Sequence, residues 1–287
     1  MREPVLTVVV CTHDRPEDLG RCLQALADCD AGVDVVVVDS ASNPPCSSLV
    51  ASFAGSISAL TYLYEPQPGL SRARNAGLRA ATTELVAFVD DDAVVARDWA
   101  QRIAAPFADE TVACVGGRCE PAFASARPRW LSDRLLQYAG ITRFREAREA
   151  RQRRDYPFGA NVAFRRGPLL HAGGFSERLG RTSRTLLSGE ESLAIDRLRE
   201  AGWRVWLEPS AVVEHTVAAD RCTSRYYWRR LWWQGVTRAR ASPSPVLTLR
   251  LLVALPLRIA LWLVTRDRVH LYRAAETTGY VHELLAG

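Results

Sequence analysis

The sequence predicts an α/β protein: a Rossmann-like, mostly parallel sheet flanked by helices, followed by a basic C-terminal helical extension. Three observations lead there. Short Val-rich runs alternate with segments of helical spacing, the runs end at polar clusters, and charge is divided unevenly along the chain. With 287 residues, 48% of them hydrophobic, the chain can build a large core, and nothing in its composition suggests disorder.

Taken in order, Val5 to Cys11 is an apolar run whose length and Val content suit a strand buried on both faces. Asp18 to Ala27 has helical spacing, with Leu19, Cys22, Leu23 and Leu26 on one side and Pro16 and Glu17 suited to the first turn. Val33 to Val38 is a second strand ending at Asp39, and Leu60 to Tyr64 a third. Ser71 to Ala81 reads as a helix, and Leu85 to Val89 as a fourth strand that stops at Asp90-Asp91-Asp92. Residues 121–158, rich in Arg, Pro and aromatics, read as a loop with short helices. Glu190 to Ala201 is a helix with Leu193, Leu198 and Ala201 inward, and Gly202 stops it. Trp203 to Leu207 is a short strand ended by Pro209, and residues 224–240 and 246–264 are two more helices. Strands alternating with helices imply parallel pairing with both sheet faces covered.

Charge separates two regions. Residues 1–126 carry nine Arg against 17 Asp and Glu, a net of −8, whereas residues 221–273 carry 11 Arg against Asp267 alone, a net of +10. The expected division is a catalytic domain over 1–220 and a basic, aromatic-rich helical region over 221–287. The seven cysteines are irregularly spaced, with no C-x-x-C pair, which suits free thiols in a reducing compartment rather than a disulfide framework or zinc site. The chain opens almost directly on a strand pattern, so no signal peptide is expected and the location reads as cytoplasmic.

In open α/β sheets, ligands bind beyond the carboxyl ends of the strands. Three polar clusters meet that rim: Thr12-His13-Asp14-Arg15, Asp39-Ser40 and Asp90-Asp91-Asp92. Adjacent carboxylates repel one another unless a cation joins them, and oxygen ligands suit Mg²⁺ or Mn²⁺ bridging protein to a diphosphate. A solvated acidic turn is the alternative. A cation there would stabilise a departing nucleoside diphosphate, and Arg72 and Arg74 are candidate phosphate contacts or solvated helix charges. Glu190 and Glu191 open a helix about 100° apart, so one of them can face an acceptor as a base while the other binds an acceptor hydroxyl or caps the helix. Negative charge at a helix N-terminus is also a plain stabiliser.

These segments resemble the family 2 glycosyltransferases, which have the GT-A fold. Val8 to Pro16 is similar to their opening strand and loop, and Val35 to Ser40 to their second strand. Pro68 to Gly77 is similar to their G-x-x-x-A-R-N-x-G segment, and Phe88 to Asp92 to their D-x-D strand end. The likeness continues through Gly159 to Arg166, Gly173-Gly174-Phe175, Gly189-Glu190-Glu191 and Pro209 to His215. It implies an inverting transfer from a nucleoside-diphosphate sugar, carrying UDP, dTDP or GDP, to a glycan, lipid or small-metabolite acceptor. Glu191 stands where the family places its base, one methylene longer than the usual Asp. Thr12, Arg15, Asp39, Arg72, Arg74, Asn75, Asp90 and Asp91 fall at donor positions, and Asn161 and Glu190 on the sugar or acceptor side. Asp92, with Asp90 and His215, is implied as the ligand set for Mn²⁺ or Mg²⁺; a diphosphate contact and a structural role are the alternatives for His215.

In the tail, residues 226–233 are aromatic and basic together, and Val246 to Val264 is apolar apart from Arg250, Pro256 and Arg258. Arginines near mid-span argue against a membrane-crossing helix. An amphipathic helix on an anionic membrane surface and a helix packed on the protein are both open, and no nucleic-acid partner is expected. Two other functions remain. A nucleotidyltransferase would need a Gly-rich phosphate loop and a Lys after the first strand, and this chain has no Lys. A non-catalytic nucleotide-sugar-binding protein would not need the acid at 191.

Overall fold

A computed structural model of the chain describes residues 6–57, 59–182 and 185–286. Val5, the expected start of the first strand, lies outside them. The first half alternates as expected: β1 (Thr7–Thr12), α1 (Pro16–Ala27), β2 (Asp34–Ser40), α2 (Ser47–Ala51), β3 (Ala59–Glu65), α3 (Leu70–Ala80) and β4 (Leu85–Asp90). Then follow β5 (Ala93–Val95), α4 (Trp99–Ala104), β6 (Val112–Phe123), α5 (Asp133–Leu136), β7 (Arg148–Glu149), β8 (Asn161–Arg165), α6 (Arg166–His171), α7 (Glu190–Glu200) and β9 (Arg204–Val217). Three helices close the chain: α8 (Ser224–Ala241), α9 (Pro245–Thr265) and α10 (Arg268–Ala286).

Among the described residues these strands form one mixed sheet in the order β3-β2-β1-β4-β8-β6-β9-β5, with β7 also on β9. The block β3-β2-β1-β4 is parallel. The inner strands β1, β2 and β4 are apolar and buried along their centres because both faces are covered, whereas the edge strand β3 is only partly buried. Leu19, Cys22, Leu23 and Leu26 of α1 pack with Val8, Val10, Val35 and Val37 on one face. Ala73 and Leu78 of α3 pack with Val9, Val36, Val38 and Phe88 on the other. Gly77 lets α3 approach β1 closely, since a Cβ there would lie 2.3 Å from Val9 Cγ1. The remaining strands pair antiparallel: β8 on β4, β6 on β8, and β5 and β7 on β9.

Three expectations need correction. Pro209 does not end a strand, because β9 runs through it to Val217. Proline removes a ladder donor, and beside it Glu208 Oε1 accepts the Ser210 N–H at 3.0 Å. In α7 the buried face is Glu190, Ala194, Ile195 and Leu198, while Leu193 is half-buried and Ala201 exposed. A charged residue thus occupies the inward stripe, which apolar spacing alone does not reveal. The third correction is α10, a helix beyond the two expected in the tail, whose buried positions are Val269, Tyr272, Ala274, Ala275, Thr277, Gly279 and Tyr280.

The chain divides into two compact units. One comprises Met1–Ala122, Gly140–Glu177 and Glu190–Thr216 and holds most of the sheet. The other gathers Phe123–Ala139, Arg178–Gly189 and Val217–Gly287. In this second unit α8 and α10 meet at glycines: a Cβ on Gly235 would lie 2.0 Å from Glu276 O, and one on Gly279 2.0 Å from Trp232 O. Trp130, Tyr227 and Tyr272 pack edge-on or tilted, with the Arg268 guanidinium 4.9 Å from the Trp130 ring centre. Tyr227 of the aromatic segment at 226–233 is thus buried in this unit, while Trp228 stays exposed.

Candidate active site

Register brings the polar strand ends together. Thr12 pairs with Asp39 across β1 and β2, and Cys11 with Asp90 across β1 and β4. Asp91 and Asp92 turn the chain from β4 into β5, and Ala93 pairs with His215 of β9. The Thr216 N–H donates to the Asp92 carbonyl at 2.9 Å and pins that turn. His215 Nε2 thereby sits 3.0 Å from Asp92 Oδ1 and 3.9 Å from Asp90 Oδ2. One ligand atom each from Asp90, Asp92 and His215 lies within 4.8 Å of the others. Two carboxylates and an imidazole fit a divalent cation such as Mn²⁺, and the buried His215 Nδ1 has no hydrogen-bond partner among the described residues. Gly140, at φ +84°, lies against the imidazole, where a Cβ would come 3.4 Å from Cε1. A side chain there would be strained.

Asp91 points elsewhere. Its carboxylate accepts Thr12 Oγ1–H at 2.8 Å and Arg15 NH1–H at 3.3 Å. Arg15 also donates to Asp92 Oδ2 at 2.8 Å. Burial, then the neighbouring Asp92, pushes the Asp91 carboxyl up to about 7, against the opposing pull of Arg15 and Thr12. Thr12 and Arg15 thus hold the acidic turn in place, and the half-exposed guanidinium stays at its edge.

Asp39 is fully buried and organises the loop after β2. Its carboxylate accepts the Ser42 N–H at 2.9 Å, the Cys46 N–H at 2.7 Å and the Tyr62 hydroxyl at 2.9 Å. Burial would raise its pKa, but the bonds from Cys46, Ser42 and Tyr62 outweigh it and hold the carboxyl below its ordinary 3.8. A lowered folded-state pKa contributes stability above the unfolded value that is lost as pH falls through the folded one. The stability gap between the protein and Asp39→Asn is therefore expected at full size above about pH 5 and to shrink below about pH 4. Urea titrations of both chains across that range check it; a gap independent of pH would contradict the linkage.

Arg74 is buried and links the acidic turn to the start of α7. It donates to Glu190 Oε1 at 2.6 Å and to Asp90 Oδ1 at 3.2 Å, and its guanidinium carbon lies 5.7 Å from the Phe175 ring centre. Burial opposes its charge, but Glu190, Asp90 and then Glu191 strengthen it. Gly159 makes room for it, since a Cβ there would lie 2.2 Å from NH2. Arg74→Met is expected to cost about 3–5 kcal/mol, because it strips a buried carboxylate of its cation. Guanidinium titration measures this, and Arg74→Lys should recover part of the loss.

Four of the candidate site residues are held by partners within the protein. Arg74 is paired with two carboxylates, Asp90 and Glu190. Glu190 is buried against Arg74. Asn75 donates to the Phe175 carbonyl at 2.8 Å and accepts its N–H at 2.9 Å, so it clamps the Gly173–Phe175 turn. Asn161, fully buried, accepts Trp99 Nε1–H at 2.9 Å and donates to the carbonyls of Arg118 and Ala211. Its amide ties β8 to β6 and β9. Arg72 pairs with Glu177 at 2.9 Å near the surface. Glu191 is half-buried, and its Oε2 has no hydrogen-bond partner among the described residues. Sequence reasoning missed Tyr62, Trp99 and Glu177. Only the apolar run around Tyr62 hinted at any of them, because their partners are distant in sequence. The cysteines are free, and burial pushes the Cys11 thiol up to about 12.

Comparison with known proteins agrees with this architecture. The profile described as Glycosyl transferase family 2 matches residues 7–171. The pre-mycofactocin glycosyltransferase of Mycobacterium tuberculosis is 29% identical over 252 residues, covering 87% of this chain and 50% of that protein. The chain thus spans about half the length of that relative. A glucosyl-dolichyl phosphate glucuronosyltransferase of Haloferax volcanii is 24% identical over 238 residues, covering 81% of this chain and 76% of that one. Among solved structures, a mannosyltransferase of Pyrobaculum calidifontis in complex with GDP-Man and Mn²⁺ superposes with a TM-score of 0.66 at 23% identity. That match covers 98% of this chain and 88% of the other. TarS of S. aureus, in complex with UDP-GlcNAc, gives a TM-score of 0.57 at 16% identity over 96% of this chain and 88% of the other. At these identities the structural likeness speaks for the fold.

Proposed function

The chain belongs to the family 2 glycosyltransferases, and from that premise we propose that it moves a sugar from a nucleoside-diphosphate sugar to an acceptor hydroxyl with inversion at the anomeric carbon. The observation that carries this reading is the Asp90–Asp92–His215 donor set at the carboxyl rim of the parallel strands. Those three residues would hold Mn²⁺ or Mg²⁺, which when bound offsets the charge that builds on the diphosphate leaving group. Thr12 and Arg15 fix the acidic turn through Asp91, and Arg15 adds a cation at the edge where phosphates would lie. Asp39 shapes the loop that would receive the nucleobase.

Glu191 is the proposed base. Its side chain is half-buried, with a buried Oε2 that has no hydrogen-bond partner among the described residues, and as base it would accept the proton of the acceptor hydroxyl as that oxygen attacks the anomeric carbon. The new C–O bond forms as the bond to the diphosphate breaks, and the nucleoside diphosphate departs. Arg74 keeps Glu190, the preceding residue, locked inward, which leaves Glu191 as the carboxylate of the pair available to substrate. The Mn²⁺ complex with GDP-Man of the Pyrobaculum calidifontis relative supports a metal and a nucleotide-sugar donor.

A thermal-shift screen of UDP, dTDP and GDP with and without Mn²⁺ or Mg²⁺ tests the reading. One nucleotide should stabilise the protein in a metal-dependent way, by about 3 kcal/mol at a concentration one hundred times its Kd. Absence of any metal-dependent nucleotide shift would overturn it.

A further inference from the structure

Helix α9 is 21 residues long, or about 31 Å at 1.5 Å per residue. By length and composition it is the one helix among the described residues apolar enough to cross a membrane, and little of it is buried. At about 100° per residue, its exposed positions sweep an arc of roughly 200°. Leu249, Leu252, Val253, Leu257, Leu263 and Val264 lie on that arc, between 46% and 83% exposed. Its inward stripe, with Leu247 and Leu251, packs on Ala239 of α8 and Tyr280 of α10. The two mid-helix arginines part company. Arg258 turns inward and donates to Arg273 O at 2.9 Å and Thr277 Oγ1 at 2.7 Å. Arg250 is exposed at the edge of the arc, and exposed Arg266 follows its end. The outward face is thus uncharged along its centre and bordered by cations.

We propose that this face docks the protein on an anionic lipid bilayer, with α9 lying in the plane of the headgroups and its apolar arc among the acyl chains. Charge supports that occupant: residues 221–287 carry 11 Arg against Asp267, Glu276 and Glu283, a net of +8, and α9 itself contains no acid. The breadth of the arc argues against a second copy of the chain. One packed helix covers a stripe of about 100°, which would leave half of this arc in water, whereas acyl chains cover all of it. The helix lies flat rather than crossing. Its packed partner α10 carries Arg268, Arg273, Glu276 and Glu283, and a crossing would draw those charges into hydrocarbon.

Flotation of the full chain tests this, with phosphatidylcholine vesicles either pure or containing about one quarter phosphatidylglycerol. The wild-type chain should float with the anionic vesicles and bind the neutral ones several-fold more weakly. The triple variant Leu249→Glu, Val253→Glu and Leu257→Glu should lose at least about tenfold in partitioning, because three charges replace apolar side chains on the buried face. Its circular-dichroism melt and its metal-dependent nucleotide shift should match wild type, which shows that it folds. Arg250→Glu should weaken binding to anionic vesicles and leave neutral ones unaffected. Equal flotation of triple variant and wild type would overturn the proposal, as would equal binding to both vesicle types. So would a wild-type dimer in sedimentation equilibrium that stays off vesicles and that the triple variant makes monomeric.

Discussion

Asp92→Ala is expected to lower kcat/KM for sugar transfer by about 10²–10³-fold, the scale of losing one preorganised group that meets developing charge. The geometry makes this the most damaging change among the three grouped carboxylates. Asp92 is buried and touches His215 at 3.0 Å, so it is the centre of the donor set. Asp91 is bound to Thr12 and Arg15, and Asp90 is shared with Arg74. The same substitution should remove the thermal shift given by Mn²⁺ with nucleotide, because a carboxylate and an imidazole hold a divalent cation more weakly than the full set. A steady-state transfer assay and a metal titration decide the matter. Near-wild-type turnover with an intact Mn²⁺ response would remove Asp92 from the ligand set, and a lost Mn²⁺ response with intact turnover would separate metal from catalysis.

Glu191→Gln is expected to lower kcat by about 10²–10⁴-fold while donor affinity holds, since an amide of the same shape cannot accept the acceptor's proton. That split between kcat and donor Kd distinguishes a base from a residue that merely shapes α7. Glu191→Asp keeps the carboxylate but shortens its reach by one methylene, and a displacement on that scale is expected to cost up to about 10²-fold. Single-turnover transfer together with equilibrium donor binding provides the two measurements. Unchanged kcat in Glu191→Gln would require another base.

How much of this was legible depended on the distance over which each residue acts. The parallel block was legible because continuous Val-rich runs separated by helical spacing admit few arrangements. That Thr12, Asp39 and Asp90 share a rim follows from the same pattern, since parallel strands end on one side. The individual roles at that rim were harder. Arg74, Asn75 and Asn161 lie in recognisable motifs, yet each is buried and paired with a group far along the chain. Arg74 meets Glu190 at 116 positions away, Asn75 meets Phe175 at 100, and Asn161 meets Trp99 at 62. Motif membership marks such a residue as required but does not say whether it faces substrate or interior. Helix α10 was missed for a related reason: its close packing on α8 depends on glycines and small residues, which leave only a faint apolar period.

The sequence by itself determined the α/β class, the strand ends that carry polar groups, the family resemblance and the division between an acidic front and a basic tail. These are properties of local pattern and composition. The tertiary structure alone decided that Asp91 turns to Thr12 and Arg15, that Arg74 spends its charge on Asp90 and Glu190, and that Arg258 turns inward so that α9 presents an uncharged face. A side chain's charge and hydrogen bonds are satisfied by whatever the fold brings within about 3 Å, and that neighbour is set by strand register and helix packing rather than by adjacent residues.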